Sequence, residues 1–288
     1  MAVAQRLLRS MLKEACRLPI PGRYVAVEAA TPFLAPFEPV VGEVGAGLRM
    51  RCDLRDQVQR QIYYGLYESL ETRLVKQRLR KGDTFLDIGA NVGYYTLLAA
   101  EAVGPPGKVH AFEPVSDVCA LLTQNVRANS LTNVTVNELA MSGSRSDLEL
   151  FVRPAAGSTG WASIVPSRKY ENQTIQVAAT TLDDYVAMHQ LESIALIKLD
   201  IEGAEPQALE GGAKLLAGDD APDLLCEINP LLLDRAGVSG RELKLLIGSF
   251  GYTLYEITAV GPKPLRIDSD EHRLKNVLAS KCRVRDRV

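Results

Sequence analysis

Hydrophobic and polar positions in this chain follow two periods, and the change from one to the other marks its organisation. From Asp83 onward, short apolar runs near residues 83–88, 108–112, 134–139, 194–199 and 223–228 have the length and continuity of strands buried on both faces. Between or after them, residues 94–102, 116–129, 205–217 and 240–249 carry apolar residues at helical spacing. Strand and helix in alternation predict an α/β fold with a parallel sheet. Right-handed crossovers in such a sheet gather the strand C-termini on one ligand-binding edge. Two later stretches, Gly251–Ile257 and Asn276–Ala279, predict a pair of closing strands.

Before Asp83 the pattern differs. Ala4, Leu7, Leu8, Met11, Leu12, Ala15 and Cys16 recur at helical spacing, with Arg6, Arg9, Lys13 and Glu14 on the other side, so residues 3–17 predict an amphipathic helix. It is expected to dock on the body of the protein or on a second subunit, which makes a homodimer a candidate assembly; a helix lying in a membrane interface is the alternative. Pro19, Pro21, Pro32, Pro36 and Pro39 predict a wrapping segment without regular structure over residues 18–45. A strand near Leu48 to Leu54 and a helical region from Gln57 to Arg80 follow. The latter holds Tyr63, Tyr64, Gly65 and Glu68, and either packs on the sheet or covers a cofactor.

Between the third and fourth parallel strands lies an insertion, about residues 141–182, with antiparallel strands expected at 148–152 and 175–180. They flank a polar loop, Pro154 to Gln173, that holds the lone Trp161 and Ser163 and suits a substrate lid. The expected division is an N-terminal helical and wrapping extension, 1–47, and one larger domain, 48–288, that contains this insertion.

With 288 residues and 47% hydrophobic composition the chain can bury one sizeable core. Net charge is −2, and no stripe of aromatic and basic residues points to nucleic acid. The charge is uneven: residues 1–82 hold 14 basic and 8 acidic residues, the remainder 19 and 27. A solvated basic face is the plain reading, an anionic partner the sharper one. Cys16, Cys52, Cys119, Cys226 and Cys282 are odd in number, widely spaced and without a C-x-x-C pair, which argues against a zinc site or a disulfide framework and for a reducing compartment. No apolar run approaches the ~20 residues that cross a bilayer, and the first residues lack the pattern of a secretory signal. A cytoplasmic protein without a transmembrane segment is expected. His110 falls inside a strand, His189 ends a helix and His272 sits in a charged loop, so no Ser-His-Asp or Cys-His constellation is defensible.

Candidate chemistry lies where strands meet turns. In Asp87-Ile88-Gly89-Ala90-Asn91-Val92-Gly93 a buried strand enters a glycine turn and then a helix from Tyr94, whose N-terminus offers unpaired N–H groups. Two glycines around Asn91 do not make the G-x-G-x-x-G dinucleotide fingerprint. Asp87, Glu113, Glu138, Asp200 and Glu227 end five apolar strands at the same edge, more carboxylates than solvation would place there. Ile197 to Glu205 is the most specific stretch, an apolar strand ending in three acids and a glycine before a helix with Pro206 in its first turn.

Together with Phe112-Glu113-Pro114 and Cys226-Glu227-Ile228, these motifs resemble the FkbM family of S-adenosylmethionine-dependent methyltransferases over about residues 48–258. The resemblance implies a Rossmann-like class I methyltransferase fold, a mostly parallel sheet ended by an antiparallel hairpin, and methyl transfer to a hydroxyl of a sugar or other small metabolite. It implies that Asp87, Gly89, Asn91 and Gly93 line the methionine end of S-adenosyl-L-methionine, that Glu113 takes the ribose hydroxyls, and that Glu138 and Ala140 form the adenine rim. Tyr64, with Gly65 and Glu68, would come from the upstream covering segment. Asp200 and Glu202 are the catalytic candidates, Asp200 as general base or acceptor-orienting group. A magnesium site from Asp200, Glu227 and Asn229 is the less favoured alternative. The competing functions are methylation of a protein or lipid, and a cofactor-binding regulatory or scaffold protein without catalysis.

Overall fold

Residues 2–152, 162–166, 173–268 and 273–282 are described by the computed structural model of the protein. It begins with α1 (Ala2–Cys16) and α2 (Arg23–Leu34), followed by the antiparallel hairpin of β1 (Val40–Val44) and β2 (Leu48–Cys52). The helix α2 departs from the irregular segment expected of this proline-rich stretch. Pro19 and Pro21 precede it, Pro36 and Pro39 follow it, and only Pro32 lies inside, in the last turn, where it gives up one i→i−4 hydrogen bond and the helix ends two residues later. The boundary expected after residue 47 falls in the turn of a hairpin that pairs Val40 with Cys52 and Val44 with Leu48, so β1 goes with β2. The helical region expected over 57–80 is two helices, α3 (Gln57–Tyr63) and α4 (Ser69–Arg78), separated by a turn in which Gly65 and Glu68 take positive φ.

The parallel core starts with β3 (Thr84–Ile88), every residue of which is buried, as a central strand covered on both faces requires. It is followed by α5 (Tyr94–Val103), β4 (Lys108–Phe112), α6 (Ser116–Ala128) and β5 (Val134–Asn137). The chain then leaves the main sheet for the insertion: β6 (Ala140–Met141), β7 (Asp147–Val152), β8 (Ala162–Ser163) and β9 (Gln173–Thr180) form a four-stranded sheet of their own, with β7 and β9 antiparallel as expected. Most of the expected lid loop, Trp161 included, lies outside the described residues, as does His272.

The chain re-enters the core through α7 (Leu182–Met188), capped by Thr181 and ended by His189, then β10 (Ile194–Leu199). Next come α8 (Glu205–Glu210), α9 (Ala213–Ala217), β11 (Asp223–Ile228), α10 (Pro230–Arg235), α11 (Gly240–Ser249), β12 (Thr253–Glu256), β13 (Lys263–Pro264) and β14 (Lys275–Ser280). The single helix expected over 205–217 breaks at Gly211-Gly212, because the backbone there presses on Ser142: a Cβ on Gly211 would stand 2.1 Å from the Ser142 carbonyl oxygen.

Among the described residues the main sheet has the order β5-β4-β3-β10-β11-β14-β12-β13. From β5 to β11 every neighbour is parallel; β14, β12 and β13 add antiparallel. From β3 the chain moves outward to β4 and β5 on one side and returns to β10 on the other, so the topological switch point lies between β3 and β10. Phe85, Leu97, Leu122 and Val109 fill the core on one face of the sheet; Leu86, Phe112, Tyr185 and Leu243 fill it on the other.

Candidate active site

Ligands in an open α/β sheet bind beyond the strand C-termini at the switch point, and a cavity of about 240 Å³ opens there. Its floor is the turn after β3. Gly89 takes φ +83°, and a Cβ on it would lie 1.9 Å from the Asp200 carbonyl oxygen, so only glycine lets the β3 turn and the tip of β10 approach this closely. The Asp200 N–H completes the contact by donating to the Ile88 carbonyl. Asn91 also takes positive φ, and its side chain accepts from the Val92 N–H.

Glu113 follows β4 and is buried. One carboxylate oxygen accepts the Asn91 N–H at 3.0 Å and the other the Val115 N–H at 3.0 Å, which ties the glycine turn to the end of the next strand. Burial pushes this carboxyl up to about 7, against the pull of those two donors. Asp87, inside β3, is fully buried; Oδ2 accepts the Thr96 hydroxyl at 2.6 Å, while Oδ1 is buried without a hydrogen-bond partner. Burial raises its pKa, and Lys198 and Thr96 pull it back.

Lys198 was not singled out by sequence reasoning, although a lone lysine inside an apolar six-residue strand is a signal. Its ammonium is buried in β10, 2.6 Å from Asp200 Oδ2 and 4.9 Å from the centre of the Tyr95 ring. Burial opposes its charge, but Asp200, Glu68 and Asp87 more than offset this and raise its pKa. Glu68 accepts the Tyr95 hydroxyl at 2.7 Å and the Asn276 amide at 3.3 Å, joining the α3–α4 turn to the same network. Glu227 points into the cavity from β11 with its pKa raised by burial and by Asp200, Glu202 and Glu205.

Of the residues expected at the site, Asp87, Gly89, Asn91, Glu113, Ala140, Asp200, Glu202, Glu227 and Glu68 line the cavity. Three do not. Tyr64 is buried with Cys16 and Val27 under the N-terminal helices, and Tyr67, three residues further on, faces the cavity instead. Glu138 accepts the Ser116 hydroxyl, while Leu139, Ala140 and Met141 form the rim beside Phe112. Gly93 serves packing: it starts α5 at φ +96°, and a Cβ would meet Leu122 at 2.6 Å. Asn229 precedes α10, outside the lining; among the described residues no group of three or more His, Cys, Asp and Glu side chains is disposed to hold a metal ion. Glu205 is likewise structural, accepting the Ile201 and Gly203 N–H groups of the turn before α8, its pKa raised by burial to about 7.

Sequence reasoning missed the apolar side of the cavity, formed by Val58 and Ile62 of α3 and by Leu148, Leu150, Ala162 and Ile164 of the inserted sheet. Nothing local marks these as site residues.

The sheet order, the glycine turn at the switch point and the acid at the end of the next strand define a Rossmann-like class I methyltransferase fold. The chain belongs to the FkbM methyltransferase family: the methyltransferase FkbM domain matches residues 87–254. A 58-residue stretch is 36% identical to the protein-L-isoaspartate O-methyltransferase of Ignicoccus hospitalis, covering 20% of this chain and 28% of that protein. A 159-residue stretch is 26% identical to the 31-O-demethyl-FK506 methyltransferase FkbM of Streptomyces tacrolimicus, covering 46% of this chain and 60% of that one. The chain thus spans from about a quarter to about three fifths of these curated relatives. Among solved structures, the methyltransferase FkbM of Methylobacillus flagellatus KT superposes with a TM-score of 0.43 at 16% identity, over 78% of this chain and 54% of that one.

Proposed function

We propose that the protein is an S-adenosylmethionine-dependent O-methyltransferase acting on a hydroxyl of a sugar or other small metabolite. The observation that carries this reading is the convergence of the Gly89 turn, Asp87, Glu113 and Asp200 on one cavity in a chain of the FkbM family. The residues present fit the cofactor's chemistry. Asp87 Oδ1 is a buried acceptor with no donor among the described residues. Among the described residues the lining carries Glu68, Asp87, Glu113, Asp200, Glu202 and Glu227 against the one cation Lys198, a balance that suits a sulfonium and an ammonium. Glu113 would hold the ribose hydroxyls with the lone pairs its backbone partners leave over, and Phe112, Leu139, Ala140 and Met141 would flank the adenine.

When bound, the cofactor supplies an electrophilic methyl group on sulfur. Asp200, fixed by Lys198 and by the Gly89 contact, would orient the acceptor hydroxyl and take its proton, with Glu202 beside it. The basic N-terminal part and the domain from the β1–β2 hairpin onward would act as one unit. Calorimetric titration with S-adenosylmethionine and a radiolabelled methyl-transfer screen over hydroxylated small molecules test the reading. Cofactor binding with transfer lost in Asp200→Asn is expected; a folded wild type that binds no cofactor overturns it.

A further inference from the structure

The helix α1 meets the body along one edge of its apolar stripe, through Leu12 and Cys16, and leaves the rest of the stripe outward. Ala4, Leu7, Leu8, Met11 and Ala15 follow i, i+3, i+4, i+7, i+11 spacing and share one face, and all are exposed, Leu7 by 60% and Met11 by 68%. The body is met by the face that carries Gln5, Arg9, Leu12, Lys13 and Cys16. Gln5 and Arg9 donate to the Phe33 and Leu34 carbonyls at 3.0 Å, Lys13 lies 4.6 Å from the centre of the Tyr63 ring, and Cys16 is buried against Val27 and Tyr64. An amphipathic helix that only stabilised this fold would be turned the opposite way.

The neighbouring segment repeats the pattern. Val25, Ala29 and Phe33 of α2 are exposed, and Phe37 just beyond it is 87% exposed. Sixteen large apolar side chains are exposed among the described residues, and eleven of them fall within residues 3–41. Scattered single exposures need no explanation, but a concentration of this kind marks an interaction surface.

Charge selects the occupant. Residues 1–41, which carry this surface, hold 5 basic and 3 acidic residues, so the apolar side chains lie on a segment of net positive charge. A two-fold contact with a second copy would set this positive segment against its own like charge. An anionic lipid surface complements both the charge and the apolar, aromatic-bearing face. No described helix is long and apolar enough to cross a membrane, so contact would be peripheral. The surface is joined to the cavity through one helix: Arg60 of α3 pairs with Glu28 of α2 at 2.6 Å, Gln57 bonds Tyr24 at 2.9 Å, and Val58 and Ile62 of α3 line the cavity.

We propose that the outward faces of α1 and α2 seat the protein on an anionic lipid membrane, apolar side chains in the acyl boundary. This inference stands apart from the methyltransferase reading and needs no cofactor for its test. The full chain is sedimented with vesicles of phosphatidylcholine, with or without phosphatidylserine, as wild type and as the Leu7→Asp/Met11→Asp variant; Leu231→Asp, in an exposed position on α10, is the control. Binding to the phosphatidylserine vesicles, weaker on neutral ones and reduced by salt, is expected. Each aspartate on α1 should weaken it about tenfold, with Leu231→Asp unchanged and urea midpoints of all forms alike. The proposal is overturned if wild type stays in the supernatant, or if the α1 variant binds as wild type does. It is also overturned if equilibrium sedimentation shows a wild-type dimer that the α1 variant dissociates, since the face would then belong to a second copy.

Discussion

Acidification should weaken cofactor binding through a single buried carboxyl. Glu113 has its pKa pushed up to about 7 by burial, and each of its oxygens already accepts one backbone N–H. Ribose hydroxyls donate to the ionised form, whereas a protonated carboxyl uses one acceptor position for its own proton. Affinity then follows the ionised fraction, which falls from about three quarters at about pH 7.5 to about 3% at about pH 5.5, a loss of about 25-fold or about 1.9 kcal/mol. Calorimetric titration with S-adenosylhomocysteine across that range reads the effect without the sulfonium charge. Glu113→Gln removes the titration and flattens the profile, at lower affinity throughout, because the amide sets a donor against one of the two N–H groups. Glu205 has a similar value, but it does not line the cavity. The free protein should show the opposite trend. A folded pKa raised from 4.5 to about 7 contributes stability that is full below about pH 4.5 and lost as pH rises through about 7. The loss is on the order of 3 kcal/mol in urea unfolding, and Glu113→Gln should remove that slope as well. A wild type whose affinity is flat with pH, or a Glu113→Gln variant that keeps the wild-type slope, refutes the reasoning.

Two further perturbations probe the frame of the site. Lys198→Met leaves Asp200, Asp87 and Glu68 without their shared ammonium and should cost about 3–5 kcal/mol in urea unfolding, whereas Lys198→Met with Asp200→Asn should recover most of it. A single variant within about 0.5 kcal/mol of wild type would show that the pair does not hold the strand tip. Gly89→Ala combines a left-handed backbone, worth about 1–2 kcal/mol, with a clash against the Asp200 carbonyl, so cofactor affinity should fall more than about tenfold. Gly65→Ala has positive φ but open space around its Cβ and carries the backbone term alone; equal effects on affinity from the two would remove the case for a steric role of Gly89.

Local signals in the chain determined a great deal. The apolar runs at 83–88, 108–112, 194–199 and 223–228 are the core strands, the glycine turn and the acids that follow these strands meet at one edge, and the family motifs were readable in order. Each depends on a few contiguous residues: a five- or six-residue apolar run bounded by turn residues fits a strand covered on both faces, and closely spaced glycines after it fit a turn. What needed the tertiary structure is which side a residue faces once the elements pack. Tyr64 and Tyr67 lie three residues apart in the α3–α4 turn, yet one is buried beneath α1 and α2 and the other faces the cavity. Glu138 and Ala140 flank the same strand end, and the leaving direction of the chain toward β6 sends only Ala140 inward. Lys198 could be counted as a misplaced charge until β3 and the α3–α4 turn brought Asp87 and Glu68 to it. The amphipathic pattern of α1 was plain, but periodicity defines a stripe without saying what it meets; only its packing, through Arg9, Leu12, Lys13 and Cys16, left Leu7, Leu8 and Met11 of that stripe to solvent.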